Sequence, residues 1–595
     1  MKLAGLLMTV SLVAAAAQDK PLPPHESLLA ADYVEGQKPN VTEKAKIEIV
    51  DVTGQAFAKA VKTTNLQPMK AFYELQLAVV CQQPVAKSDI LHVRFYARGV
   101  APEDETGEAR GHIYFQKHSP NWHKMLTSDF RAGTNWKRYD YPFVARRDHA
   151  AGETALCFGL GYGKQEMEIG GVQFLRMPKG TKLRDLPRTP VTYPGSAPNA
   201  AWRRGAAERI EQHRKGDLKV TVVDANGKPV PDAQVQAELT RHAFQFSSVV
   251  SIPRFTAKDP ALDTYRQKAR ELFNATGNEN ALKWPPWESN WGGAYQKKTT
   301  VATLREFHDA GYHVRGHVMV WPNWKHLPRE LQKLKGTPDQ SKVPQLVLDH
   351  IREIGAATRD VVDEWDVINE TRSNHELMDL FGREIMIDWF KAAREVLPTH
   401  DLYINDYSIL NSPPGSRNHA AYLDTIQFLL KGGAPVTGVG FQAHLGGNLP
   451  NPAMVYRTLE EFGKLGLKMR VTEFDIDIDD EDAQARYTRD FMTLLFSHPS
   501  VVGFQMWGFW EGAHWRPKGA MYRRNWEPKP NAEAYRDLVF RQWQTNEKTT
   551  TDANGACAVR GFLGEYKVSV QAAGKAQVVK AKLAKTGTEM VVRLK

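Results

Sequence analysis

Two glutamates in this 595-residue chain lie where apolar stretches end, in a way that points to chemistry. Glu370 closes residues 362–370, VDEWDVINE, and Glu473 lies within residues 468–476, KMRVTEFDI. One acidic residue at a strand end is ordinarily a loop or capping residue. Two carboxyl groups that face one cleft can together catalyse cleavage of a glycosidic bond. One donates a proton, and the other stays ionised beside the anomeric carbon.

The elements that must position these glutamates alternate between apolar and amphipathic segments over residues 242–545. Eight candidate strands follow in order: FQFSSVV, ELFNATG, YHVRGHVMVW, VDEWDVIN, DLYIND, VTGVGFQAH, KMRVTEF and VVGFQMWGF. Segments with helical spacing lie between them, for example LVLDHIREIGAATRD and REIMIDWFKAAREVL. Eight such units in sequence predict a (β/α)8 barrel, a closed ring of parallel strands surrounded by helices.

In such a barrel the carboxyl ends of the strands face one rim, which carries the active site. Polar and aromatic residues recur at these ends along the sequence: Asn280, Lys283, His317, Trp321, Asn369, Glu370, Asn405, Asp406, Gln442, His444, Glu473, Asp475 and Trp507. Glu370 on the fourth strand and Glu473 on the seventh are therefore predicted to face one mouth.

Seven motifs, in order and at the spacing of strand–helix units, resemble glycoside hydrolase family 10, the family of endo-β-1,4-xylanases. They are FNATGNENALKW, VRGHVMVW, WDVINE, LYINDYSIL, GVGFQAHLG, VTEFDI and MWGFWEGAHWRP. The resemblance covers the whole predicted barrel. It implies that Glu370 is the general acid/base and Glu473 the nucleophile of a retaining cleavage of the β-1,4-xylan backbone, without a metal or organic cofactor.

The same resemblance implies a set of substrate-binding residues. His444 would hold the charge state of the nucleophile, and Asn369 would bind the 2-hydroxyl of the sugar being cleaved. Glycone-side and cleft positions match Glu279, Asn280, Lys283, His317, Trp321, Gln442, Trp507 and Trp515, and Tyr407 borders the leaving-group side. Purely structural roles stay open: a surface ion pair for Lys283 with Glu279, a core position for His317, and packing for the two tryptophans.

One departure from the family pattern follows the third strand. Family members usually have a histidine directly after the tryptophan and a glutamine shortly beyond it. This chain reads VWPNWKHLP, so Pro322 replaces the histidine and no glutamine follows. This departure predicts that the contacts around the cleaved sugar differ from the family pattern, and with them the substrate preference or the rate.

The segments before the barrel predict an exported multidomain protein. Residues 1–17 carry one lysine and a short apolar run ending in small residues, which indicates a signal peptide and an extracellular or periplasmic location. Residues 41–180 show the strand alternation of a β-sandwich and resemble jelly-roll carbohydrate-binding modules, with Trp122 as a candidate sugar contact; a plain spacer is the alternative. Residues 181–216 read as a linker followed by a short helix.

A small β domain is predicted to be split by the barrel. The turn sequence DANG occurs at 224–227 and again at 552–555, within strand-rich segments 217–241 and 546–595. These segments resemble the two halves of an immunoglobulin-like sandwich, and the first is too short to bury its own apolar face. We therefore expect one discontinuous domain, in which the central Asn-Gly of the first segment forms a hairpin. Two unrelated β appendages are the alternative.

The charge, hydropathy and cysteine content of the chain disfavour several other classes of protein. The formal net charge of +10 is spread along the chain without a basic block, which disfavours nucleic-acid binding, and no later segment is apolar enough to span a membrane. Cys81, Cys157 and Cys557 are too few for a disulfide scaffold; the first two either pair or stay as buried thiols. The expected protein is a monomer acting on xylan. A related β-glycanase or a non-catalytic glycan-binding protein are the competing interpretations.

Overall fold

The computed structural model describes residues 22–29, 32–102, 109–118, 122–189, 192–446 and 449–595. The chain divides after Pro194 into two compact units. The predicted signal peptide lies outside the described residues. Among the helices that are described, none combines the length and the apolar character needed to cross a membrane.

The first unit is a two-sheet β-sandwich. Its strands are β1 (Glu26–Ser27), β2 (Asn40–Val41), β3 (Ala45–Asp51), β4 (Lys59–Asn65), β5 (Gln76–Cys81), β6 (Ile90–Pro102), β7 (Ala109–Lys117), β8 (Lys124–Ala132), β9 (Lys137–Val144), β10 (Thr154–Gly159) and β11 (Gln165–Arg176). One sheet has the order β2-β3-β4-β11-β6-β9, with β1 beside β11, and the other has the order β5-β10-β7-β8. From β4 to β9 successive strands mostly alternate between sheets, which is the jelly-roll arrangement.

This sandwich begins earlier than the predicted start at residue 41. Leu28, Tyr33 and Val34 are buried in its hydrophobic core, because β1 joins the first sheet and carries the following residues over the core. Cys81 and Cys157 are free, buried thiols. Trp122 keeps 54% of its surface exposed, and its contact with a glycan stays a prediction.

The second unit contains a small two-sheet domain whose strands come from both sides of the barrel. They are β12 (Lys215–Val223), β13 (Gln234–His242), β22 (Asn546–Thr550), β23 (Ala556–Phe562), β24 (Gly564–Ala572), β25 (Lys575–Leu583) and β26 (Thr588–Arg593). The sheet orders are β23-β12-β26 and β22-β13-β24-β25. Strands on either side of the barrel therefore share both sheets, which is the pairing that a discontinuous domain requires. A helix, α1 (Ala201–Arg214), leads into β12.

The predicted hairpin at the first DANG turn forms only beside the turn, where the Val230 amide donates to the Val222 carbonyl at 3.0 Å and Val223 and Pro229 form an antiparallel bridge. The turn itself is present: the Gly227 amide donates to the Asp224 carbonyl at 3.1 Å, and Gly227 has a left-handed φ of 84°. However, β12 and β13 belong to different sheets and do not pair with each other. Each strand finds its partners in the C-terminal segment instead, which the local turn signal could not indicate.

Eight parallel strands close into the predicted barrel. They are β14 (Gln245–Val250), β15 (Ala275–Asn278), β16 (His313–Gly316), β17 (Glu364–Asn369), β18 (Asp401–Asp406), β19 (Gly438–Leu445), β20 (Lys468–Ile476) and β21 (Val501–Met506), paired in this order with β21 beside β14. All eight predicted strands are present. The second is shorter than expected, because residues 271–272 of ELFNATG end a helix before the strand begins.

Helices and short helical segments accompany the strands. They are α2 (Ile252–Thr256), α3 (Asp263–Leu272), α4 (Trp284–Trp287), α5 (Lys297–Asp309), α6 (Arg329–Gln332), α7 (Val343–Thr358), α8 (Glu376–Phe381), α9 (Ile385–Val396), α10 (Arg417–Lys431), α11 (Pro452–Gly463), α12 (Glu481–Ser497) and α13 (Pro530–Asp537). Their buried positions recur at helical spacing, for example Val347, Ile351 and Ile354 on α7. These helices therefore pack one apolar face against the barrel, and the side chains of the site come from the strand ends.

The barrel interior contains paired charges rather than only apolar side chains. Glu364 Oε1 lies 2.8 Å from Arg470 Nε and 3.1 Å from Arg315 Nη1, and Arg315 also pairs with Asp366. All four side chains are almost completely buried. Since an unpaired buried charge is costly, the mutual pairing makes these charges tolerable. Asp366 in turn contacts His317 Nδ1 at 2.9 Å, so the charged core supports a residue of the predicted site.

Candidate active site

A cleft of about 500 Å³ opens at the carboxyl ends of the barrel strands. Glu370, directly after β17, and Glu473, within β20, both line it. The other side chains predicted for the site line the same cleft: Glu279, Asn280, Lys283, His317, Trp321, Asn369, Tyr407, Gln442, His444, Trp507 and Trp515. Closure of the barrel brings these residues together, because it places every strand end at one rim.

Glu370 is held by three side-chain donors. Its Oε1 accepts a hydrogen bond from Gln442 Nε2 at 2.9 Å, while Oε2 accepts from Trp321 Nε1 at 3.2 Å and from Asn374 Nδ2 at 3.0 Å. The Glu370 amide donates to the Asn405 carbonyl at 2.8 Å, and its φ of 58° is left-handed. Residues other than glycine rarely adopt this conformation, so the surroundings hold Glu370 in an unfavourable backbone state at the strand end.

Glu473 is buried and held by a different set of groups. Asn405 Nδ2 donates to its Oε1 at 2.8 Å, and His444 Nε2 lies 3.2 Å from its Oε2. The other ring nitrogen of His444 lies 2.9 Å from Asp475 Oδ2, which also accepts from Trp515 Nε1 at 2.8 Å. With a carboxylate at each nitrogen, the imidazole is oriented between Glu473 and Asp475.

The surroundings move the pKa values of the two glutamates in opposite directions. Burial raises the pKa of Glu370, and the nearby charge of Glu473 raises it further, against the hydrogen bond from Gln442. Burial also raises the pKa of Glu473, but the hydrogen bond from His444 and cationic groups that include Lys283 outweigh it, so the pKa is lowered. A protonated Glu370 can therefore coexist with an ionised Glu473.

His444 is the cation that accompanies the ionised glutamate. Burial lowers the pKa of His444, but its contacts with Asp475 and Glu473 outweigh burial and raise that pKa to about 9. At neutral pH the ring is accordingly an imidazolium. It compensates the negative charge that burial would otherwise disfavour at Glu473.

Cationic and aromatic groups form one wall of the cleft. Lys283 Nζ donates to Asn280 Oδ1 at 2.8 Å and lies over the rings of Trp321 and Trp507, 5.5 and 5.8 Å from their centroids. His317 meets Trp507 edge to face at 5.1 Å. Lys283 is thus built into the cleft wall and is not a surface group.

The two tryptophans of the last strand and its loop differ in exposure. Trp507 is 7% exposed and forms part of the cleft wall, whereas Trp515 keeps 50% of its surface in solvent. The Arg516 guanidinium lies over the Trp515 ring, 4.2 Å from its centroid, and the exposed remainder of this indole borders the cleft, where it suits contact with a sugar ring. The Asn369 oxygen accepts from Asn405 Nδ2 at 2.9 Å and Gln442 Nε2 at 3.3 Å, which fixes the orientation of its amide.

The segment that departs from the family pattern contains a histidine four residues after Pro322. His326 stacks on Trp321 with ring centroids 3.6 Å apart and planes inclined by 7°. Asn323 Nδ2 donates to Asn374 Oδ1 at 3.2 Å, and Asn374 donates to Glu370. The segment 321–326 therefore still supports the acidic residue, although through different side chains.

Sequence reasoning missed several residues of the cleft. Ser408, Asn411 and Arg516 also line it, and Arg516 Nη1 lies 3.6 Å from Asp475 Oδ1. Asn405 carried a strand-end signal but was not assigned to the site. Asn374 carried no such signal, since it follows the strand by five residues and reaches Glu370 only because the intervening turn brings the chain back.

Comparisons with known proteins point to one family. The family model "Glycosyl hydrolase family 10" matches residues 236–538. Anti-sigma-I factor RsgI6 of Acetivibrio thermocellus is 28% identical over 391 residues, covering 65% of this chain and 49% of that protein. Endo-1,4-beta-xylanase 1 of Arabidopsis thaliana is 27% identical over 374 residues, covering 62% of this chain and 38% of that protein. The chain thus spans about half or less of the length of these two relatives.

Among solved structures, native xylanase 10B from Thermotoga maritima is 26% identical, with a TM-score of 0.46, and the match covers 50% of this chain and 96% of that one. The family match spans half of the sequence and falls on the barrel whose strand ends hold both glutamates. The chain therefore belongs to glycosyl hydrolase family 10.

Proposed function

We propose that the protein hydrolyses the β-1,4-linked backbone of xylan by double displacement. The observation that carries this proposal is the pair of carboxyl groups at one mouth whose pKa values are moved apart, upward for Glu370 and downward for Glu473. The Arabidopsis relative is named an endo-1,4-beta-xylanase, which supports xylan as the substrate.

In the first step a Glu473 oxygen attacks the anomeric carbon while the glycosidic C–O bond breaks. Glu370 transfers its proton to the departing oxygen, so the leaving sugar departs as an alcohol and the glycone stays as an ester on Glu473. The lowered pKa of Glu473 supplies the ionised nucleophile, and the raised pKa of Glu370 supplies the proton.

In the second step water attacks the same carbon from the side the leaving group vacated. Glu370, now ionised, takes a proton from the water, and Glu473 leaves as a carboxylate. Two inversions restore the original configuration. The imidazolium of His444 stabilises the departing carboxylate, and Asn369 binds the 2-hydroxyl of the sugar.

The barrel topology gives the cleft two ends. Between β17 and β20 the ring contains β18 and β19 on one side and β21, β14, β15 and β16 on the other. Tyr407 follows β18, and Glu279 and Asn280 follow β15. We place the leaving-group chain toward Tyr407 and the glycone chain toward Glu279.

The test measures reducing-sugar release from xylan and from β-glucan by the wild-type protein and by Glu473→Ala, with the anomeric configuration of fresh product followed by NMR. We expect β-configured products from xylan and no release by the variant. If the protein instead releases more reducing sugar from β-glucan than from xylan, it is a related β-glycanase. Inverted products would contradict the double displacement.

A non-catalytic glycan-binding protein is the competing interpretation of the sequence. An aryl xylobioside decides between the two, because its cleavage needs no polymer binding. Equal rates for the wild type and Glu473→Ala would remove the catalytic assignment.

A further inference from the structure

The loop that follows α4 presents a tryptophan that the proposed mechanism does not use. Trp291 is 51% exposed, so about half of its indole surface is accessible to a ligand. It lies eight residues after Lys283, on the same β15-to-α5 connection that supplies Glu279 and Asn280 to the cleft.

Trp291 is connected to the cleft through Tyr295. The two rings meet edge to face, with centroids 6.0 Å apart and planes at 85°. Burial and the charge of Glu279 raise the pKa of Tyr295, while a hydrogen bond with Asn280 lowers it, so the Tyr295 hydroxyl lies beside Asn280, a residue that lines the cleft. Trp291 thus lies one ring beyond the glycone end of the cleft.

The loop carrying Trp291 is fixed by hydrogen bonds. Ser289 Oγ donates to the Tyr295 carbonyl at 3.0 Å, and the Asn290 amide donates to the Pro285 carbonyl at 2.9 Å. Asn290 Oδ1 accepts from the Arg329 amide at 2.7 Å. The indole is therefore presented by an ordered loop, and binding would not require the loop to fold first.

We propose that Trp291 forms a distal subsite that takes one further xylosyl residue at the glycone end of the chain. This inference rests on the proposed function. A β-xylosyl ring has axial C–H bonds that form an apolar face, and this face can lie flat on an indole. Tyr295, which contacts Trp291 and has its hydroxyl near Asn280, links this indole to the existing cleft.

The experiment compares Trp291→Ala with the wild type on two substrates: an aryl xylobioside, which is too short to reach the loop, and xylohexaose. We expect kcat/KM on xylohexaose to fall about three- to tenfold, the effect of losing one aromatic contact. Cleavage of the aryl xylobioside stays within about twofold of the wild type, since the nucleophile and the acid are untouched. Trp291→Tyr, which keeps a ring, restores most of the activity on xylohexaose.

Phe540→Ala is the matched control, because Phe540 is an aromatic residue that keeps 42% of its surface exposed but does not line the cleft. It should leave the cleavage of both substrates unaffected. Unchanged xylohexaose cleavage by Trp291→Ala, equal losses on both substrates, or the same loss in Phe540→Ala would overturn the subsite. A wild-type protein inactive on both substrates would instead overturn the proposed function.

Discussion

His326 stacks on Trp321, and Trp321 donates a hydrogen bond to Glu370, the proposed proton donor. Mutation of His326 therefore tests whether this stack helps to hold Glu370. Trp321 Nε1 donates to Glu370 Oε2 at 3.2 Å, and His326 lies flat on the indole at 3.6 Å. Burial, together with the charges of Lys325 and Lys283, lowers the pKa of His326 to about 4. Above pH 5 the imidazole is therefore neutral and contributes a ring face rather than a charge.

Removing the ring should raise the pKa of Glu370. A hydrogen bond to a charged group contributes about 1.5–3 kcal/mol. The Trp321 contact is long, so we take the lower value and assume that about half is lost when the indole regains freedom, about 0.7 kcal/mol. One pKa unit corresponds to about 1.36 kcal/mol, so the pKa of Glu370 rises by about half a unit in His326→Ala.

The assay is the pH dependence of kcat/KM on an aryl xylobioside. The alkaline limb reports loss of the proton from Glu370 in the free enzyme, so it should move upward by about half a pH unit in His326→Ala. The acidic limb, which reports Glu473, should stay in place. His326→Phe keeps a flat ring and should behave as the wild type. An unmoved alkaline limb in His326→Ala, or an equal shift in His326→Phe, would refute the reasoning.

Three further outcomes are expected. Glu370→Ala should lose far more activity on xylan than on an aryl glycoside with a good leaving group, measured as the ratio of kcat/KM values; equal losses would argue against an acid role. His444→Gln removes the cation that lowers the pKa of Glu473, so the acidic limb of the pH profile should move upward; an unchanged limb would contradict that role. Deleting residues 556–595 removes both partners of β12 and one of the two partners of β13, so it should lower Tm, whereas a chain starting at residue 195 should keep its barrel transition; equal losses from both truncations would oppose this view.

Much of the barrel and its rim could be predicted from the sequence. Each strand is a short apolar run followed by polar residues, and each helix repeats its apolar positions at 3.6-residue spacing, so both signals are local. Once eight such units are recognised, the position of Glu370 and Glu473 at one mouth follows from the geometry of a closed parallel barrel.

Other features depended on contacts between residues far apart in the chain. The Asn-Gly turn at 226–227 predicted a hairpin, and only a short antiparallel bridge forms beside it. The full strands β12 and β13 pair with strands more than 300 residues away, because strand pairing is decided by which edges meet in the folded domain. The small domain was recognisable only by comparing both ends of the chain.

Within the site, the sequence determined which side chains are present, and the tertiary structure decided their pKa values and their contacts. Burial and neighbouring charges, which exist only in the folded protein, move the pKa values of the two glutamates apart. The contact of Asn374 with Glu370 arises from a turn, and the stack of His326 on Trp321 arises from how the segment after Pro322 packs. Hydrophobic periodicity specifies elements, whereas electrostatics and side-chain contacts depend on distances that only the fold sets.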